Sequence, residues 1–249
     1  MNEHGVAIAE CTCSSIFGAS SVDLGGNALL NYLELTRIAL ERCATACDVI
    51  DTMGSLAEEH SFYGNEPGLG GAAESLAVAE EAWLFHIMPD DSGSSAIWAA
   101  QRVPHGHATA CANMFTIRAM DLADPDNFRY SQSCLEVATR LELWETGTPF
   151  DFARIYSYGE GLAKYSGRRV WRALSLMAPS LDLNPHYGDL LLEPEALPFS
   201  VQPEVPATPE AFFSIMRDNY QGTEFDLSKG LAAGPFGVTD RYTGADKVW

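Results

Sequence analysis

The chain has 249 residues, 47% hydrophobic and 20% charged, enough apolar material for a full core and unlike disordered, collagenous or low-complexity sequences. Lys and Arg number 15 against 34 Asp and Glu, a net charge of −19; such a surface repels phosphate backbones and anionic lipid and disfavours nucleic acid as a partner. No run of about 18 apolar residues occurs, which excludes a transmembrane helix in this segment.

Met1 is followed at once by NEHGVAIAECTC. This reads as a buried strand, with Val6 and Ile8 alternating with Ala7 and Ala9. A strand with no lead-in, and a C-terminus at DKVW straight after a Gly/Pro-rich loop, suggest a piece of a longer protein. Asn27 to Arg42 is expected to be a helix with Leu29, Leu33 and Leu40 on one side. Thr45 reads as an N-cap with Asp48 as its capping-box partner. Behind it Ala46, Val49, Ile50, Met53 and Ala57 form one apolar stripe at helical spacing. Gly54 interrupts that helix at some cost, and Phe62 to Gly71 reads as a loop.

Strands are expected at Leu76–Ala79, Trp83–Met88, Ala96–Arg102 and Ala108–Phe115. In the second of these, Trp83, Phe85 and Ile87 face one way, and Leu84, His86 and Met88 the other. Both faces are largely apolar, so the sheet is covered on both sides. The short connections make it antiparallel. Ser133 with Glu136 resembles a second capping box. Tyr165 to Ala178 is expected to be a helix whose stripe is Val170, Ala173, Leu174 and Met177. Residues 179 to 207 read as a long proline-rich connection. Thr208-Pro209-Glu210 then opens a helix running to about Tyr220, and Gly230 to Gly237 is a second Gly-rich loop. Covered antiparallel strands with helices before and after give a layered α+β class.

Few residues carry chemistry by type and spacing alone. The Gly-rich loops lack the context of a phosphate-binding motif, and no serine sits in a nucleophile elbow. His105 and His107 share a face but lack a third ligand, so an exposed turn explains them better than a metal. The cysteines at 11, 13, 43, 47, 111 and 134 give neither a disulfide scaffold nor a zinc pattern. Cys11-Thr12-Cys13 could hold a nucleophilic thiol, although cysteines are common in cores. Asn113 closes an otherwise apolar strand, and Arg168, Arg169 and Arg172 form a basic cluster.

The blocks NEHGVAIAECTCS, LTRIALERC, MGSLAEEHSFYG, EEAWLFHIMPDDSGSSAIWAAQRVP, ANMFTIR, YSGRRVWR and FDLSKGLAAGPFG resemble, in order, those of the dipeptidase A and secernin family. That family belongs to the N-terminal-nucleophile hydrolases and is related to choloylglycine hydrolases. The resemblance runs from Asn2 to about Tyr242. It implies a four-layer αββα sandwich with largely antiparallel sheets. Residues 1–249 would then form a single such domain, incomplete at both ends. It implies cysteine-type hydrolysis of dipeptides or small peptides, with no metal or organic cofactor.

The same resemblance places the nucleophilic cysteine upstream of this chain, since the NEHGV strand here is residues 2–9. Cys11 lies beyond that strand and is not its counterpart. Two positions match residues near the oxyanion and the nucleophile, Asn113 in ANMF and Arg169 in SGRRVWRA. Thr12 falls where relatives carry another oxyanion asparagine. Helix phase places Arg169 beside the buried stripe and turns Arg168 toward solvent. The expected activity is that of a cysteine dipeptidase, with the 249-residue piece inactive alone. The alternatives are a secernin-like regulatory or interaction protein and an amidase acting on non-peptide acyl amides.

Overall fold

A computed structural model describes residues 1–65, 72–158, 160–188, 196–204 and 207–239. The GLGG end of the Phe62–Gly71 loop and the terminal DKVW lie outside the described residues. The chain divides into two compact units, one of residues 1–105 and 113–159, the other of residues 106–112 and 160–249.

In the first unit, strands β1 (Ala7–Cys13), β2 (Ala73–Ala79), β3 (Trp83–Pro89), β4 (Ala96–Arg102) and β6 (Phe128–Tyr130) form a five-stranded sheet in the order β1-β2-β3-β4-β6. Every neighbouring pair is antiparallel. The β3–β4 turn is held by Asp90, whose Oδ1 accepts from the Ser94 and Ser95 amides. A two-stranded ribbon pairs β5 (Ala119–Met120) with β7 (Phe150–Asp151). The mixed α+β class and the antiparallel pairing follow the sequence reading.

Helices α1 (Tyr32–Arg42) and α2 (Ala46–His60) supply the core of one sheet face. Leu76, Val78, Trp83, Phe85, Ile87 and Trp98 pack there against Leu35, Ala39, Val49, Ile50 and Met53. The α2 stripe is buried as its spacing requires. Thr45 caps it by accepting from the Asp48 amide at 3.1 Å. Helix α1 begins later than its sequence suggests, because Asn31 makes a full capping box with Glu34. Its buried side is Leu35 and Ala39, while Leu29 and Leu33 are exposed. The opposite sheet face is covered by the segment Met114–Ile117 and by α4 (Phe152–Tyr156), with Phe115, Ile117, Phe152 and Tyr156 all buried.

Helix α3 (Gln132–Arg140) starts at Ser131 without the expected capping box. Ser133 Oγ instead donates to the Ala96 carbonyl at 2.9 Å, tying the helix to β4.

The expected strand Ala108–Phe115 does not form. Ala108 makes a single antiparallel bridge to Val201 within the second unit. Residues 109–118 are irregular, and Asn113 takes a left-handed conformation at φ 52°. Small side chains at 108, 110 and 112 bury little surface, so nothing compensates for extending the chain across that residue. The second unit is built around α5 (Glu160–Met177), with Val170, Trp171 and Leu174 buried. Trp171 packs with Tyr220 and Leu227 and donates its indole N–H to the Leu183 carbonyl at 2.5 Å. Helix α6 (Pro209–Met216) is capped by Thr208 and stops short of Tyr220, which is itself left-handed at φ 59°.

Gly54 explains itself in this packing. A Cβ there would run into the indole ring of Trp98, which stacks on Phe85 at 5.5 Å and donates to Glu58 at 2.6 Å. Helix propensity alone would make Gly54→Ala stabilising by about 1 kcal/mol. Contact with a pinned ring reverses the sign. The expected outcome is a loss of about 1–3 kcal/mol, read as a lower denaturant midpoint at unchanged slope. An unchanged midpoint would show that Trp98 yields without cost.

Candidate active site

Strand alternation sorts the polar residues of the first unit onto two faces. Thr12 sits opposite Glu74, Cys11 opposite Ser75, and Ser75 opposite His86. Thr12, Glu10 and Glu74 therefore share the face covered by α1 and α2. Cys11, Cys13, Ser75 and His86 share the other.

At the end of β1 the structure brings together two of the residues singled out from sequence. Asn113 Nδ2 donates to the Thr12 carbonyl at 2.5 Å. Asparagine is among the few non-glycine residues that tolerate the left-handed conformation found there. The Thr12 side chain is directed elsewhere, and its hydroxyl donates to Glu10 Oε1 at 3.0 Å. Thr12 thus meets Asn113 through its backbone, and its hydroxyl belongs to the opposite face of the sheet.

Beneath this contact lies a buried relay. His86 is fully buried. Its Nε2 accepts from the backbone amides of Thr116 at 2.9 Å and Ile117 at 3.3 Å. A nitrogen that accepts two N–H groups carries no proton, so the ring proton is on Nδ1. Nδ1 donates to Ser75 Oγ at 2.6 Å. Ser75 Oγ is in turn 3.0 Å from Cys13 Sγ and 3.4 Å from the Met114 carbonyl. The imidazole sits near Phe115, at 5.0 Å between ring centres, and Phe152, at 6.0 Å. Periodicity showed His86 only as one member of an apolar strand face. The signal for the relay was a histidine on a doubly covered strand with a serine on the preceding strand.

In the second unit, Arg169 lies over the Tyr165 ring at 3.9 Å. Its Nε donates to the Tyr165 carbonyl at 3.2 Å and its Nη2 to the Ala112 carbonyl at 3.3 Å. Arg168 corrects the helix-phase expectation. It is half-buried, with its guanidinium 4.0 Å from the centre of the Phe225 ring, and burial lowers its pKa. The segment around Tyr220 and Phe225 packs on α5 beside Trp171, which brings Arg168 onto a covered face. Arg172 of the same cluster is bidentate to Asp218 at 2.7 and 2.8 Å.

The family model for peptidase family C69 matches residues 2–235. The chain belongs to peptidase family C69. It is similar to a probable dipeptidase of Latilactobacillus sakei, 26% identical over 231 residues that make up 91% of this chain and 44% of that protein. It is also similar to a probable dipeptidase of Salmonella dublin, 27% identical over 162 residues, 63% of this chain and 35% of that one. The C69 chain therefore spans less than half the length of these curated relatives.

Two buried ionisable groups of the C69 chain pull its stability in opposite directions with pH. Glu74 is fully buried, with the Glu10 carboxyl and the Thr12 hydroxyl beside it. Burial, and then the neighbouring Glu10 carboxyl, push its pKa from 4.5 up to about 9. Between those values the folded chain holds one more proton than the unfolded chain, so rising pH removes stability. For His86, burial lowers the pKa from 6.5 to about 3. Here the unfolded chain takes up the extra proton, and falling pH removes stability through that window. Replacing Glu74→Gln is expected to abolish the alkaline loss. The melting-temperature gain of the variant over wild type should grow between about pH 5 and about pH 8. A gain independent of pH would place the folded Glu74 pKa in the ordinary carboxylate range.

Proposed function

We propose that the full-length protein is a cysteine-type dipeptidase of the N-terminal-nucleophile kind, and that residues 1–249 belong to its peptidase domain. Family membership supports peptide hydrolysis, and the two relatives bearing the name probable dipeptidase support a dipeptide substrate. The helix-covered five-stranded antiparallel sheet of the first unit supports reading it as the helix and sheet layers of an αββα sandwich.

The observation that carries the mechanism is the fixed orientation of Asn113. Its left-handed backbone and the bond from Nδ2 to the Thr12 carbonyl hold the amide at the end of β1. A donor held in advance stabilises a developing oxyanion without reorganising during reaction. In this reading a cysteine outside the chain attacks the dipeptide carbonyl, forming a carbon–sulfur bond. The cysteine's own α-amino group, with a pKa of about 7.7–8.0, takes the thiol proton and delivers it to the departing amine. Water then hydrolyses the thioester, releasing the acid and restoring the thiol. Asn113 donates to the carbonyl oxygen as it gains charge. Arg169 is the second candidate. Two carbonyl bonds and the Tyr165 ring fix the guanidinium, and such a cation stabilises a thiolate or oxyanion in a site of low dielectric.

The test is dipeptide turnover by the full-length protein beside bile-salt and acyl-amide panels. Asn113→Ala is expected to lower kcat about 10²–10³-fold while the protein stays folded. Arg169→Ala should also lower turnover strongly. Arg168→Ala is expected to act on stability, lowering the melting temperature with little change in turnover of the folded enzyme, because its guanidinium packs on Phe225. Equal, small effects of Asn113→Ala and Arg169→Ala on kcat would remove both from the active site. Preference for acyl amides over dipeptides would replace the peptidase reading.

A further inference from the structure

Asn113 sits in the irregular segment 109–118, whose far end is tied to α4 by the Ala153 amide donating to the Ile117 carbonyl at 2.9 Å. A side-chain anchor for the stretch next to Asn113 lies immediately downstream. Thr116 and Ile117 follow Asn113 by three and four residues, and both backbone amides converge on His86 Nε2. The Met114 carbonyl lies within reach of Ser75 Oγ at 3.4 Å. The same imidazole grips the sheet through Nδ1 and Ser75, and Ser75 reaches Cys13, the residue after the Thr12 carbonyl that Asn113 meets. One side chain thus connects both ends of the Asn113–Thr12 contact.

We infer that His86 is a positioning residue for Asn113. In its Nδ1–H form it clamps the Met114–Ile117 segment to β2 and β3, and so sets where the Asn113 amide points. The inference rests on the reading of Asn113 as the oxyanion donor, while the clamp itself stands on geometry. The directions of the His86 bonds are fixed. The amides of Thr116 and Ile117 donate to Nε2, and Nδ1–H donates to Ser75 Oγ. The single Ser75 O–H is then left for the Met114 carbonyl or Cys13 Sγ, and the Cys13 thiol has the Cys11 carbonyl at 3.5 Å. The opposite tautomer would aim an N–H at two N–H groups and leave Ser75 to reverse its bond. A shape-filling apolar residue would leave two buried amides without an acceptor.

The side chains of Gln and Asn divide the two functions of the ring. Gln reaches the Nε2 position with a carbonyl oxygen and keeps the acceptor for Thr116 and Ile117. Asn reaches only the Nδ1 position and keeps the donor to Ser75. In the full-length enzyme His86→Asn is expected to lower dipeptide kcat about as much as Asn113→Ala does, on the order of 10²-fold, with KM little changed. His86→Gln should retain at least tenfold more kcat than His86→Asn. The double variant Asn113→Ala/His86→Asn should be no slower than the slower single variant, because both changes remove the same interaction. Multiplicative losses in the double variant, or equal kcat for His86→Asn and His86→Gln, would overturn the inference.

A spectroscopic arm separates this outcome from failure of the proposed function. In protein labelled with ¹⁵N at His and Asn, wild-type His86 should show Nδ1 protonated and Nε2 bare. The Asn113 side-chain amide resonance should move in His86→Asn and hold in His86→Gln. If Asn113→Ala leaves turnover intact, the oxyanion reading fails, and the resonance still decides the clamp. A protonated Nε2, or an Asn113 resonance unmoved by His86→Asn, would sink the clamp whatever the enzyme hydrolyses.

Discussion

A sheet buried on both faces leaves its polar side chains without water, and the first unit is arranged around that constraint. On the face away from α1 and α2, Cys13, Ser75 and His86 would each be costly in isolation. Linked in sequence, with two backbone amides as the last donors, they become a bridge between β1, β2, β3 and the irregular segment that follows Asn113. On the face toward the helices the solution is different. Burial, and then the Glu10 carboxyl, push the Glu74 pKa up and favour its neutral form, while the Thr12 hydroxyl donates to Glu10. One face answers the loss of solvent with a hydrogen-bonded chain, the other with a carboxyl pair whose buried member is shifted toward its neutral form.

Much of the first unit was legible because burial there follows strict periods. The α2 stripe, its Thr45 cap and the two-sided burial of β3 all came from spacing and are present. Spacing misled where competing local chemistry decided the outcome. Asn31 outbid the Leu29–Leu33 pattern, because a full capping box sets a helix start more firmly than two exposed leucines. Ser133 has the residue type of a cap, yet β4 offers its hydroxyl a carbonyl in a buried setting. The Ala108–Phe115 alternation reads as a strand, but alternation gives no sign that Asn113 will turn left-handed.

The candidate site shows the same division. Asn113 and Thr12 were singled out through resemblance, and their contact uses the Thr12 backbone, which no side-chain motif encodes. His86 carried no motif at all. Its role depends on amides of Thr116 and Ile117, and every residue except proline has an amide to offer. The arginines of α5 illustrate the limit of helix phase. A phase computed from Val170, Ala173, Leu174 and Met177 leaves Arg168 outward. Tyr220 and Phe225 cover the helix from a second direction by packing on its own Trp171, so its buried arc is wider than one stripe.

The indole bonds described above give the molecule two built-in clocks. The Trp98 N–H is held by Glu58 of α2 in the first unit, and the Trp171 N–H by the Leu183 carbonyl in the second. Each proton leaves for solvent only when its own helix or loop lifts away. Their exchange rates, read from two resolved indole signals, report the opening of each unit separately. A ligand, a substitution or a change of pH that loosens one unit alone would speed one clock and leave the other running at its former rate.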